Sequence, residues 1–257
     1  MELRCLGCGA QTRLDLEKGI RVCEYCGNVY LLDSGKSVTN DKGSIELPRN
    51  PFPEYVSWRD SGLQDHVMEW KDKALEAAMR KATGILHGNI MLHDVFEMTS
   101  LTLNEEGIGN VEALNEMTNL QSLVLENNYI RDISGLTKLK NLVYLNLFKN
   151  RVTNIGGIAY LPLLRDVRLD YNMISDLNPL AELKYIERLY VYMNQITDVS
   201  PLKNLLSLKD LRIDFNPIKD ISSLVSLRNL ESLNIEQTQV EDLSIISKLG
   251  NLKTLMK

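Results

Sequence analysis

An α+β chain is predicted, with a small cysteine-bearing ribbon followed by a curved solenoid built on a parallel sheet. Three observations predict it. Four cysteines fall in two matched pairs at 5, 8, 23 and 26. An apolar pattern repeats every 22 residues from Met98 to the C-terminus. Between them, residues 67–82 carry a stripe with helical spacing, suited to covering one end of the repeats.

The first cysteine pair is Cys5-x2-Cys8-Gly9 and the second is Cys23-x2-Cys26-Gly27. Two thiolates separated by two residues can hold one ion, and the glycine relieves the tight turn. The stretch between the pairs includes Leu14, Leu16, Ile20 and Val22, enough for a short hairpin. A segment of this size has too little core to fold alone, so a structural ion is expected. The reading is one Zn2+ per chain held by Cys5, Cys8, Cys23 and Cys26. Iron in a four-thiolate site and paired redox cysteines are the alternatives. The segment also resembles bacterial zinc ribbons, with CEYCG as a second knuckle.

Residues 1–33 thus read as the ribbon and 34–62 as an extended linker, rich in Ser, Gly and Asn and then in proline. Trp58 and Tyr55 could anchor its end. Residues 63–97 read as a helical cap. Val67, Met68, Ala74, Leu75, Ala78, Met79 and Ala82 form its stripe, interrupted by Lys71. Ser61 with Gln64 fits a capping box, and Gly84 fits a C-terminal stop.

Residues 98–257 hold seven full units and a terminal strand. In each unit, counted from zero at Met98, Leu120, Leu142, Leu164, Ile186, Leu208 and Leu230, positions 0, 3, 5, 10, 13, 16 and 19 are apolar. This is the leucine-rich-repeat pattern L-x-x-L-x-L-x-x-N-x-I. Positions 3 and 5 alternate with polar residues, giving a short strand with one buried face. Position 8 is asparagine in five central units, at 128, 150, 172, 194 and 216, an inward amide ladder able to satisfy buried turn backbone. Position 12 is always Asp or Asn, which starts a turn. About ten residues remain for the return, so a 3-10 segment is expected on the convex side.

The stretch DKALEAAMRKATGILHGNIMLHDVFEMTSLTLNEEGI from Asp72, with units ending I-x-D-[IV]-S-P-L, resembles bacterial internalin-type leucine-rich-repeat proteins. The resemblance implies a curved solenoid whose concave face binds protein. It also implies secretion. The sequence shows no signal peptide, immunoglobulin-like module or wall anchor, so a soluble cytoplasmic protein is expected instead.

Net charge is -5 and evenly spread, so there is no electrostatic footprint for nucleic acid or membrane. No nucleophile–base arrangement or phosphate-cradling loop stands out, so no enzyme is expected. His66, His87 and His93 read as solvated cap residues. The positive signal lies on the strand face opposite the core. There Tyr144, Phe148, Arg168, Asp170, Arg188, Tyr190, Tyr192 and Arg212 are candidate partner-binding residues, of the types found in binding hot spots. Asn146, Asp166, Asp210 and Asp214 share that face, with Tyr171 and Phe215 at its edge. The outer units show Ser100, Thr102, Ser122, Ser232 and Asn234 there. The expectation is a non-enzymatic interaction module, monomeric or dimeric through its open C-terminal end. The alternative is a nucleic-acid-associated factor that binds through the ribbon and recruits protein with the repeats.

Overall fold

In the computed structural model, the described residues are the strands 12–15, 20–23 and 29–31, as backbone, and all of 53–257. The chain divides into two compact units, Met1–Pro51 and Phe52–Lys257.

In the first unit, β1 (Thr12–Asp15), β2 (Ile20–Cys23) and β3 (Val29–Leu31) form an antiparallel sheet in that order. The hairpin expected between the cysteine pairs is β1–β2, with Thr12 opposite Cys23 and Val22 opposite Val29 across β2–β3. Cys23 ends β2. Cys5, Cys8 and Cys26 lie outside the described residues.

The second unit opens with an extended strap. The N–H groups of Glu54, Val56 and Trp58 are accepted by the side chains of Asn141, Asn119 and Glu97, at 2.9, 2.9 and 2.8 Å. The Asn119 and Asn141 amides donate back to the carbonyls of Val56 and Glu54 at 2.7 and 2.8 Å. The end of the stretch read as linker therefore belongs to the repeat unit. Trp58 packs edge-on against Phe96, with ring centroids 5.5 Å apart.

Helix α1 spans Lys73–Thr83, starting later than the expected 67–82. The reason is competition for backbone: Met68 N–H donates to Ile90 O and Leu92 N–H to His66 O, both at 2.9 Å, which holds 66–68 extended. Asp72 is the N-cap, accepting from Ala74 and Leu75 N–H. Its second oxygen accepts from Gly109 and Asn110 N–H at 2.7 and 2.8 Å, tying cap to first repeat. Lys71 breaks the stripe because it precedes the helix. Ser61 ends a 3-10 turn (Trp58–Asp60) and does not form a capping box. Gly84 stops α1 in left-handed backbone at φ 76°, the C-terminal stop expected of it. Helix α2 (Leu92–Phe96) buries Leu92, Val95 and Phe96. His66 and His93 are not simply solvated: they pair with Glu116 at 2.9 Å and with Asp65 at 2.6 Å.

Eight three-residue strands follow: β4 (Ser100–Thr102), β5 (Ser122–Val124), β6 (Tyr144–Asn146), β7 (Asp166–Arg168), β8 (Arg188–Tyr190), β9 (Asp210–Arg212), β10 (Ser232–Asn234) and β11 (Thr254–Met256). They form one parallel sheet in chain order, each residue opposite its counterpart in the next unit. The returns contain 3-10 segments such as Gly156–Tyr160 and Ser200–Asn204. In every full unit the position-12 side chain accepts from the backbone N–H two residues on. Asp132 does so from Ser134 and Asp220 from Ser222, each at 2.7 Å. The strand side is set by hydrogen bonding at about 4.8 Å per strand and the 3-10 side is bulkier, so the sheet lines the concave side.

The asparagine ladder is buried as expected. Asn172 donates to Leu147 O and Leu169 O at 2.9 and 3.0 Å and accepts from Val152 N–H at 2.9 Å; Asn128, Asn150, Asn194 and Asn216 repeat the arrangement. Return geometry is strict in one place. A Cβ on Gly157 would lie 2.1 Å from Ile133 O. No other residue fits there without moving backbone.

Candidate functional site

The alternation that buries Leu145, Val167, Leu189 and Leu211 turns the residues on either side of each onto the concave face. Four consecutive units, those of β6 to β9, thereby collect all eight candidate partner-binding residues. They are not equally available.

Arg188 is exposed, its Nε donating to Asp166 Oδ2 at 2.7 Å. Tyr190 is half-buried, donating its hydroxyl to Asp210 Oδ2 at 2.5 Å. Burial, with the Asp210 carboxylate beside it, pushes the Tyr190 phenol up to about 12. It therefore stays a donor. Arg168 stacks over Tyr190, with 5.0 Å from guanidinium to ring centroid, a cation–π contact. Arg212 stacks over Tyr192 at 4.3 Å and pairs with Asp214 at 3.1 Å. The Asn146 amide donates to the Tyr144 hydroxyl at 3.1 Å.

Asp170 is not an exposed contact, contrary to its reading as an outward-facing residue. It is 2% exposed, with the Tyr192 backbone N–H near its carboxylate. Burial pushes its carboxyl up to about 7, against the lowering influence of that N–H and of Arg168 and Arg212. Desolvation outweighs them because it penalises the charged form directly. Asp166 Oδ1, Arg168 Nε and Asp170 Oδ1 are buried and have no hydrogen-bond partner among the described residues. All three belong to the outward residues of one repeat.

Along one margin of this face runs an aromatic ladder. Phe148, Tyr171 and Tyr192 stack edge-to-face, each ring centroid 5.3 Å from the next. Such a geometry suits the ring quadrupoles. Tyr171 sits at position 7, which takes left-handed backbone in every full unit: Glu105, Asn127, Lys149, Tyr171, Met193, Phe215 and Gln237, with φ between 52° and 61°. Sequence alternation places Tyr171 and Phe215 at the edge; it points neither to Met193 nor to the left-handed conformation. Nothing in composition signals that conformation, because bulky side chains disfavour it.

Among the described residues no cluster of three His, Cys, Asp or Glu could hold a metal ion. No helix among them is long and apolar enough to cross a membrane. Two hollows in the described surface are open to solvent. One, of about 490 Å³, lies against Arg131, Arg151, Thr153 and Met173. The other, of about 530 Å³, lies against Tyr185, Asn204 and Leu206.

Residues 186–226 match the family described as leucine-rich repeats in two copies. No curated protein sequence matches the chain. Among solved structures, an internalin (inlF) from Listeria monocytogenes is 28% identical, with a TM-score of 0.69 over 72% of this chain; the chain spans 56% of that protein's length. The plant peptide hormone receptor RGFR1, solved in complex with RGF2, shares the fold at 22% identity and a TM-score of 0.56, over 64% of this chain and 28% of that one. Internalin C2 (inlC2) from Listeria monocytogenes is 31% identical at a TM-score of 0.57, over 72% of this chain and 92% of that one. At 31% identity across nine-tenths of internalin C2, and with leucine-rich repeats matched within it, the chain belongs to the internalin-type leucine-rich-repeat proteins.

Proposed function

We propose that this protein is a non-catalytic interaction module that grips a protein partner with the concave face of β6 to β9 and the aromatic margin beside it. One observation carries the reading. In three consecutive units Tyr171, Met193 and Phe215 hold large apolar side chains in left-handed backbone while 38, 38 and 48% exposed. Each such residue is unfavourable twice, through its backbone and through its contact with water. None of the three fills the core: Tyr171 is the middle ring of the stacked ladder, and the large exposed faces of Met193 and Phe215 are left for a partner. The stacked ladder holds Tyr192 and Phe148 in place, which lowers the ordering cost of binding.

Asparagine occupies the same backbone position at Asn127. It tolerates that conformation better than an aromatic does. Tyr171→Asn with Phe215→Asn relieves the backbone at both positions but removes the two ring contacts of Tyr171, so the double variant should stay folded with a small change in melting temperature while captured partners are lost. Retention of every partner by a folded double variant would overturn the reading.

The same proposal assigns Cys5, Cys8, Cys23 and Cys26 to one structural Zn2+. The donor set suits a closed tetrahedral site. The backbone register supports it: β1 starts opposite Cys23, shortly after Cys8 in sequence, and Cys26 lies between β2 and β3. Cys23→Ser should release one zinc per chain, read by metal analysis, and leave the circular dichroism of the repeats intact. Zinc content unchanged by that substitution would remove the assignment.

A further inference from the structure

The strap at Glu54–Trp58 is bound in a way that the repeats offer twice. Its alternate residues meet the side chain that precedes the first residue of successive units: Trp58 at Glu97, Val56 at Asn119, Glu54 at Asn141. The strap thus advances two residues per repeat. At the two asparagines the clamp is bidentate, with Oδ1 taking the strap N–H and Nδ2 giving to the strap carbonyl. Each Nδ2 also donates to the backbone carbonyl 23 residues earlier, Asn119 to Phe96 O and Asn141 to Thr118 O, both at 3.0 Å. That second bond fixes the amide plane.

The next three units carry Leu163, Tyr185 and Ser207 at this position, and the clamp is interrupted. It returns at Asn229 and Asn251. Their Nδ2 groups make the same fixing bond, to Leu206 O and Arg228 O at 2.7 Å each. Both residues are exposed, and neither Oδ1 is engaged by another group among the described residues. Two amides one repeat apart, oriented as in the occupied pair, therefore present one acceptor and one donor apiece to solvent.

We propose that Asn229 and Asn251 are a second strap site, and that its occupant is an extended, acidic segment of a protein partner. The backbone chemistry follows from the occupied pair, where alternate residues of an extended chain each satisfy one asparagine. The sign of the side chains follows from charge. The turn segments 202–207, 224–229 and 246–251 contain Lys203, Arg228 and Lys248 and no acidic residue. Leu206 is 55% exposed beside Asn229 and borders the open hollow of about 530 Å³, where it and Tyr185 are the apolar wall and Lys184 and Glu182 the charged one. This edge is separate from the concave face, so one partner can be held at both or two partners at once.

The test uses the full chain with its asparagine side chains labelled for nuclear magnetic resonance. The probe is a blocked peptide with the strap sequence PEYVSW, residues 53–58, added to millimolar concentration. Saturable shifts of the Asn229 and Asn251 side-chain amides are expected. Asn229→Ala with Asn251→Ala should abolish saturation. Since those changes also remove the fixing bonds, Arg228→Glu is the second variant: it leaves both amides in place and should weaken binding several-fold. The same peptide with lysine for its glutamate should also bind several-fold more weakly. Absence of saturable shifts, shifts confined to Asn119 and Asn141, or binding indifferent to Arg228→Glu would overturn the proposal.

Discussion

The two ends of the solenoid carry the same repeat but are finished differently. At the N-terminal end, α1 and α2 lay Leu75, Met79, Val95 and Phe96 against the first unit, all at most 2% exposed. At the C-terminal end, Val240, Leu243, Ile246, Leu252 and Leu255 are only partly buried, although they occupy pattern positions that are fully buried in the five central units. An apolar position is buried by its neighbouring unit and not by its own, which is what makes repeat stability nearly one-dimensional. The sharpest way to break the difference is at the covered end. Phe96→Ala removes a buried ring that also stacks on Trp58, and should cost about 3–5 kcal/mol. Urea unfolding would show it as a lower midpoint at unchanged slope if the whole repeat unit unfolds together.

The centre, flanked by repeats on both sides, sharpens the comparison because there burial is enough to hold a proton. Asp170 is raised in the folded state to about 7. The folded protein therefore binds more protons than the unfolded one between the ordinary carboxylate range and that value. The contribution of Asp170 is fully present below the ordinary range and is lost as pH rises through its folded value, a swing of up to about 4 kcal/mol. Asn104 occupies the same position in the first unit and accepts from Glu126 N–H, one unit on, at 2.9 Å. Asp170→Asn should therefore be accommodated as Asn104 is, flatten the pH profile between the two values, and stabilise the protein in mild alkali. A pH profile identical to that of the wild type would remove burial of this carboxylate as the cause.

Asp72 at the covered end has the opposite sign. Although burial alone would raise it, the four N–H groups it accepts from, of Leu75, Gly109, Asn110 and Ala74, hold its carboxyl below the usual range. Its contribution is present at neutral pH and is lost as pH falls through that lowered value. Asp72→Asn turns an N–H toward Gly109 and Asn110, which already donate, and should cost about 1–2 kcal/mol at neutral pH. The loss should vanish in strong acid, where wild-type Asp72 is itself protonated. A cost independent of pH would mean that the joint is held by packing alone.

How much of this could be read from the chain differs by the range of the interaction. The repeat period exposes the strands, the position-12 turns and the Asn128-to-Asn216 ladder, because each obeys a local rule repeated in register. Gly84 is legible because a helix stop is also a local rule. The strap is not: with Pro51 and Pro53 it looks like a linker, and its partners Glu97, Asn119 and Asn141 lie 39 to 87 residues away. The late start of α1 is hidden because pairing of 66–68 with 90–92 is equally non-local. On the binding face, alternation locates the eight residues but not their burial. Asp170 is covered, and Tyr190 is locked by Asp210 and Arg168, because long side chains on adjacent strands reach across to each other.

The smallest effect is expected at the open end. Leu255 lies on β11, the edge strand of the sheet among the described residues, and it is only partly buried. Leu255→Ala should cost less than about 1 kcal/mol, since little apolar surface returns to water and there is no closed cavity to leave behind. Lys253 pairs with Glu231 at 2.7 Å and its side chain is 72% exposed. A charge so placed discourages strand addition at an edge. Amide exchange in Thr254–Met256 should accordingly be faster than in β6 to β8 by at least about tenfold, corresponding to about 1.4 kcal/mol of lower opening energy. If a second copy covers this end instead, that protection will rise with protein concentration and Leu255→Ala will lower the association constant. Uniform protection through Met256 in a monomer would show that the last unit needs no cover, and the contrast between the two ends would then be one of shape without consequence for stability.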